Sequence, residues 1–209
     1  MSLPSDFDLD QYWEERYSAG RGSGAGSHGR LAKFKALFVN NFYKNHSIQT
    51  HIDFGMDDGH QLSLFKPTSY IGVDVSRTLL KTLDNKFSGK RKYKFIHIDE
   101  LQGIDRCDLA SSLDVIYQLV DDTEYQIYMR RLFLYARRFV VIYSSNMDQG
   151  LPSQRIRHRR FTDFVMEHRP DWTLVQHLPN PYPHDPANPR QTSFADFFVF
   201  AAPGEMLRG

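Results

Sequence analysis

Cysteine is nearly absent: Cys107 is the single one among 209 residues. No internal disulfide can form, and a reducing, cytoplasmic setting is expected. Long apolar runs are also missing. None approaches the roughly 20 residues that cross a bilayer, so no membrane segment is expected. The acidic start MSLPSDFDLD lacks the basic head and apolar middle of a secretory signal. There is no charge excess either. Lys and Arg number 26 against 25 Asp and Glu, a net +1, so no global attraction to nucleic acid is expected. The phosphate loop G-x-x-x-x-G-K-[ST] does not occur, which argues against an NTPase. His, Cys and acidic residues are scattered without the spacing of a ligand set, so no metal is expected. The length suits one domain with a real core.

The chain is organised around residues 50–76, TH-IDFG-MDDG-HQLSLFKPTS-YIGVDVS. His51 to Phe54 is a short, mostly apolar run ending at Gly55. Gly59 follows, then an amphipathic segment (Leu62, Leu64, Phe65) stopped by Pro67. Tyr70 to Val73 is a second apolar run ending in Asp74. Strand, glycine turn, helix, strand, with an acid at the second tip, is the nucleoside-binding half of a doubly wound sheet. The turn Gly55-Met56-Asp57-Asp58-Gly59 lacks the third glycine of a dinucleotide fingerprint, which argues against NAD.

Around this unit the chain alternates strand and helix. A helix is expected over 6–19, with Phe7, Leu9, Tyr12, Trp13 and Tyr17 on one side. A glycine-serine stretch, 19–29, follows as a surface loop or as a lid. A helix over 30–44 presents Leu31, Phe34, Leu37, Phe38, Asn41 and Phe42. Further helices are expected over 76–87, capped by Ser76, from Asp121 onward, and over 161–168. Strands are expected at 93–98, 108–113, 139–143, 172–177 and 194–201. Pro179 to Arg190 holds five prolines and cannot be regular structure. The cluster Arg155, Arg157, His158, Arg159 and Arg160 reads as a solvated face or as a site for an acidic group. Cys107 reads as a buried packing residue.

Asp53, Gly55 and Gly59 resemble motif I of class I S-adenosylmethionine-dependent methyltransferases, Asp74 falls where that family keeps its ribose-binding acid, and DLASSLDVIYQLV at 108–120 resembles its motif IV. Asp57 departs from that pattern, standing where the family has its middle glycine. The resemblance implies a single-domain, Rossmann-like α/β fold. Its seven-stranded sheet has the order 3-2-1-4-5-7-6, with strand 7 antiparallel and helices on both faces. It divides the chain into N-terminal helices and glycine-rich cofactor lid (1–45) and catalytic core (46–209). It implies S-adenosylmethionine as cofactor, held by Asp53, Gly55, Asp57, Gly59, Asp74, Asp99 (with Glu100 as second choice), Leu113 and Asp114. Tyr12, Trp13, Tyr17, Ser23 and Gly24 would cover it. Many members have a histidine where this chain has Gln118. His158, in the loop after the fifth strand, is the candidate general base, ahead of His28 and Tyr117. The expected acceptor is a polar small molecule, or an anionic one if the arginines are used, and a homodimer is allowed. The alternative is a cofactor-binding or structural interaction protein without turnover.

Overall fold

Residues 8–148 and 155–208 are described by the computed structural model; Phe7, Gly150 and Pro152 lie outside them. The central strands are buried on both faces, as their apolar runs require. They are β1 (Thr50–Phe54), β2 (Ser69–Asp74), β3 (Tyr93–His97), β4 (Cys107–Leu113), β5 (Ala136–Ser144), β6 (Thr173–Leu178) and β7 (Asp196–Ala201). The sheet order is β3-β2-β1-β4-β5-β7-β6. Strands β3 through β5 run parallel, and β7 pairs antiparallel with both β5 and β6. This is the topology that the methyltransferase resemblance implies.

Alternation along each strand sorts side chains between two cores. Ile52, Phe54, Val140, Ile142, Phe198 and Phe200 face one core. Helices α5 (Asp122–Leu134) and α6 (Phe161–His168) cover it with Met129, Leu132, Phe133 and Phe161. Phe139, Val141, Tyr143, Phe197 and Val199 face the other. That core is covered by α2 (Gly29–Asn45), α3 (His60–Leu64) and α4 (Arg77–Lys86). The remaining helix, α1 (Leu9–Ser18), is capped by the Asp8 side chain.

The inner face of α2 differs from the expected one. Leu37 is 63% exposed, whereas Ala32, Lys35, Ala36, Val39 and Tyr43 are buried with Leu31 and Phe42. The helix turns this way because Ala36, Val39, Phe42 and Tyr43 pack into the core, and Lys35, 1% exposed, comes inward with them to meet Asp114, with Nζ to Oδ2 at 2.6 Å. Residues Arg157 and Arg159 do not form a solvated face. Both pair with Asp122 at 3.0 Å and donate to the Val120 carbonyl, tying the segment after β5 to the start of α5. Cys107 opens β4 and is buried, which pushes its thiol up to about 11 and keeps it inert.

Gly72, in the middle of β2, marks where the sheet meets the glycine turn. A Cβ there would fall 1.8 Å from Met56 Sδ and 3.1 Å from both Phe95 Cδ1 and Tyr70 Cε1. Met56 is itself buried, so it has no open side to move toward. Gly72→Ala is expected to destabilise the fold by about 1–3 kcal/mol, as overpacking does. A lowered urea midpoint with an unchanged m-value would show it.

Candidate cofactor and acceptor site

A cavity of about 370 Å³ opens at the carboxyl ends of β1, β2 and β4, where ligands enter an open α/β sheet. The local chain explains its floor. Gly55 ends β1 in a left-handed conformation, φ 72, and donates its N–H to the Val73 carbonyl at 2.8 Å. A Cβ at Gly55 would stand 2.4 Å from Val115 Cγ2, so only glycine fits between the first and fourth strand tips. Asp57 also has a positive φ, 66, as does Asp114, φ 64.

Asp74 sits at the cavity wall and is buried. Its Oδ1 accepts from the Ser76 N–H at 3.0 Å. Burial pushes its pKa up to about 7, with Asp57 adding repulsion. Asp10, on α1, also faces the cavity, and burial raises its carboxyl too. The roof comes from α1 and the glycine stretch. Trp13 stacks on Tyr17 at 5.6 Å between centroids, and Tyr12 meets Trp13 edge-on at 5.4 Å. Residues Ala25–Ser27 form a 3-10 turn over Asp114; a Cβ at Gly26 would lie 2.8 Å from Asp114 Oδ2. Helix α1 is anchored to the start of α4 through Glu14, which accepts from Ser76 Oγ at 2.7 Å and from the Thr78 hydroxyl.

Of the residues expected from the sequence, the structure brings Tyr12, Trp13, Tyr17, Gly24, Gly55, Asp57, Asp74, Leu113 and Asp114 to this one cavity. Five others stand outside its lining. Asp53 is turned into the core, where its carboxylate accepts from Tyr70 Oη at 2.8 Å and from Ser111 Oγ. It closes a buried chain in which Tyr43 Oη meets His51 Nδ1 and His51 Nε2 meets Ser111 Oγ, each at 2.7 Å. Gly59 serves packing, since a Cβ there would meet Leu83 Cδ2 at 2.6 Å and Phe87 Cε2 at 3.0 Å. Asp99 is 70% exposed and pairs with His97, because the 3-10 turn after β3 points Ile98 inward instead. Ser23 binds Asp58 through its N–H and hydroxyl. His158 Nδ1 meets Ser145 Oγ at 2.8 Å, and its ring packs edge-on against Phe194 at 4.6 Å.

Asp10, Lys35 and Ile98 were missed by the sequence reading. Tyr117, a lesser candidate there, lines the cavity and donates to Asp114 Oδ1 at 3.2 Å. Lys35 stands directly behind Asp114. Only the alternating run 93–98 carried a usable signal, since it sets Ile98 on the same side as Ile96, and the 3-10 turn after β3 keeps it there.

The sheet order, the reversed last strand and the cavity at the first two strand tips define the fold of the class I S-adenosylmethionine-dependent methyltransferases. No protein-family model matches the sequence, and no curated protein matches it. Solved structures do share the fold. The N-methyltransferase NodS from Bradyrhizobium japonicum WM9, in complex with S-adenosyl-L-homocysteine, superposes with a TM-score of 0.68 at 11% identity, over 95% of this chain and 100% of that one. Magnesium protoporphyrin IX methyltransferase from Synechocystis PCC 6803, with bound SAH, gives 0.66 at 11% identity, over 93% and 98%. The methyltransferase domain of a bacterial Hen1 gives 0.58 at 19% identity, over 80% and 97%.

Proposed function

We propose that this protein is an S-adenosylmethionine-dependent methyltransferase that modifies a polar small molecule in the cytoplasm. The observation that carries the reading is the buried Asp74 carboxylate at the tip of β2, facing a lidded cavity. The residues fit the cofactor's parts. The Asp74 carboxylate accepts the two ribose hydroxyls. Val75, Ile98 and Leu119 offer an apolar slot for the adenine. Asp114 sets negative charge opposite a cationic sulfur and an ammonium. Gly55 lets the backbone approach closely. Bound there, S-adenosylmethionine supplies a methyl group on a good leaving group. The protein's share is to hold the acceptor in line and to exclude water.

His158 remains the candidate for taking the acceptor's proton. Burial and the neighbouring His184 lower its pKa, so it is neutral at pH 7 and able to accept. Its ring lies 6.4 Å from that of Tyr117, which lines the cavity. Arg157 and Arg159 already have acid and carbonyl partners, so an anionic acceptor would be met by Arg16 and Arg155, which line the cavity.

Titration calorimetry with S-adenosylmethionine and S-adenosylhomocysteine tests the reading, since micromolar binding of both is expected. Folded protein that binds neither favours the alternative of an interaction scaffold. Transfer of a labelled methyl group to a small-molecule pool separates an enzyme from a cofactor-binding protein without turnover.

A further inference from the structure

Where the family's glycine pattern is broken, the lid is fastened. Asp57 Oδ1 accepts from Tyr17 Oη of α1 at 3.2 Å, and its Oδ2 accepts from Ser27 Oγ of the 3-10 turn. The next residue, Asp58, accepts through Oδ2 from the Ser23 N–H at 2.9 Å and the Ser23 hydroxyl at 2.7 Å. Four donors from three points of the roof therefore end on two adjacent carboxylates of one turn. The approach is close throughout: a Cβ at Gly22 would stand 2.8 Å from Asp58 Oδ2. Glycine at 57 would adopt the same positive φ with less strain, but it would offer the lid no acceptor.

We propose that Asp57 and Asp58 form a clasp that holds α1 and the segment 22–27 shut over the cavity. Asp57 is then a positioning residue for cofactor retention. That second clause rests on the cavity being the adenosyl site; the clasp itself does not. The left-handed backbone turns the Asp57 carboxylate up toward the roof, where both oxygens are used. Charge-assisted hydrogen bonds of this kind are stronger than neutral ones, and lids are drawn from the less stable parts of a fold. Losing the acceptors should therefore open the roof before it affects the sheet.

Hydrogen exchange on the ligand-free chain is the test, comparing wild type, Asp57→Gly, Ser27→Ala and the double variant. In Asp57→Gly the amides of α1 and the 22–27 segment are expected to exchange about tenfold faster or more, the effect of losing one to two hydrogen bonds to a charged group. Amides of β1 and β4 keep their wild-type rates. The double variant exchanges no faster than Asp57→Gly, because Ser27 acts through the same carboxylate. Unchanged lid exchange in Asp57→Gly, or fully additive effects of the two substitutions, overturns the clasp. The retention clause is read from S-adenosylhomocysteine release by stopped flow, expected to be at least about tenfold faster in Asp57→Gly for the same reason. Should the wild type bind no S-adenosylhomocysteine, the cofactor reading falls while the exchange comparison still decides the clasp.

Discussion

Asp74→Ala is expected to weaken S-adenosylhomocysteine binding by at least about a hundredfold while leaving the protein folded. Two hydroxyls donating to one carboxylate are worth about 3 kcal/mol or more together, since a hydrogen bond to a charged group contributes about 1.5–3 kcal/mol. Stability moves little by comparison. The Ser76 N–H loses its acceptor, which stood at 3.0 Å, but the cost of burying a carboxylate disappears with the side chain. These terms oppose each other, so the urea midpoint at pH 8 should stay within about 1 kcal/mol of wild type. Calorimetry and urea unfolding on the same preparation check both halves. A folded variant that binds as wild type does removes Asp74 from the cofactor site.

The pH dependence sharpens this expectation. Burial raises the Asp74 pKa to about 7 and that of Asp53 to about 6, both from 3.8. Ribose binding needs the ionised Asp74, so affinity should rise between pH 6 and pH 8 and flatten in Asp74→Asn. Folding has the opposite sign. Between the unfolded pKa and the raised folded values, the native state holds more protons than the unfolded chain. The stability contributed by these two groups is therefore present at low pH and lost as pH rises through about 6 to 7. Binding that strengthens with pH while the urea midpoint falls is the expected joint signature.

The sequence exposed the sheet more fully than the site, and the reason is range. The order of the strands came from the resemblance, but their positions rest on local signals: the apolar run Phe139–Tyr143, the stops at Gly55 and Pro67, and acids at strand tips. Each needs only neighbours in the chain. Asp53 shows the limit, because an acid beside Gly55 looks the same whether it faces a ligand or the core. Only Ser111 and Tyr70, brought in from β4 and β2, show that both its oxygens are taken. Asp10 was hidden for a similar reason: the helix was expected over the cofactor on its aromatic side, and an acid in a first helical turn looks the same whether it serves the helix dipole or a cavity. For Arg157 and Arg159 neither a solvated face nor an acidic ligand was the outcome, because Asp122, their partner, lies more than 30 positions away. Asp57, by contrast, was legible as an anomaly. A side chain at a glycine position predicts a positive φ, and φ is 66.

Lys35→Met should produce the largest loss of stability, about 3–5 kcal/mol, which is the cost of leaving one member of a buried ion pair alone. Lys35 is 1% exposed, Asp114 is 14% exposed, and the pair is 2.6 Å apart. The ammonium also lies 5.4 Å from the Tyr143 ring centroid, so truncation removes a cation–π contact as well. Methionine fills much of the lysine's space, so a cavity contributes little. The loss comes from Asp114, held at positive φ with one donor remaining, Tyr117 Oη at 3.2 Å. Mechanism and stability separate in the double variant. Lys35→Met combined with Asp114→Asn removes the orphaned charge and should recover more than half of the loss, because replacing both partners of a buried pair is far cheaper than removing one. Cofactor affinity should not recover with it, since Asp114 lines the cavity and its charge is gone. Urea unfolding reads the first effect and calorimetry the second. Equal midpoints for the single and double variants would mean that the lysine acts by packing α2 and not by neutralising the tip of β4.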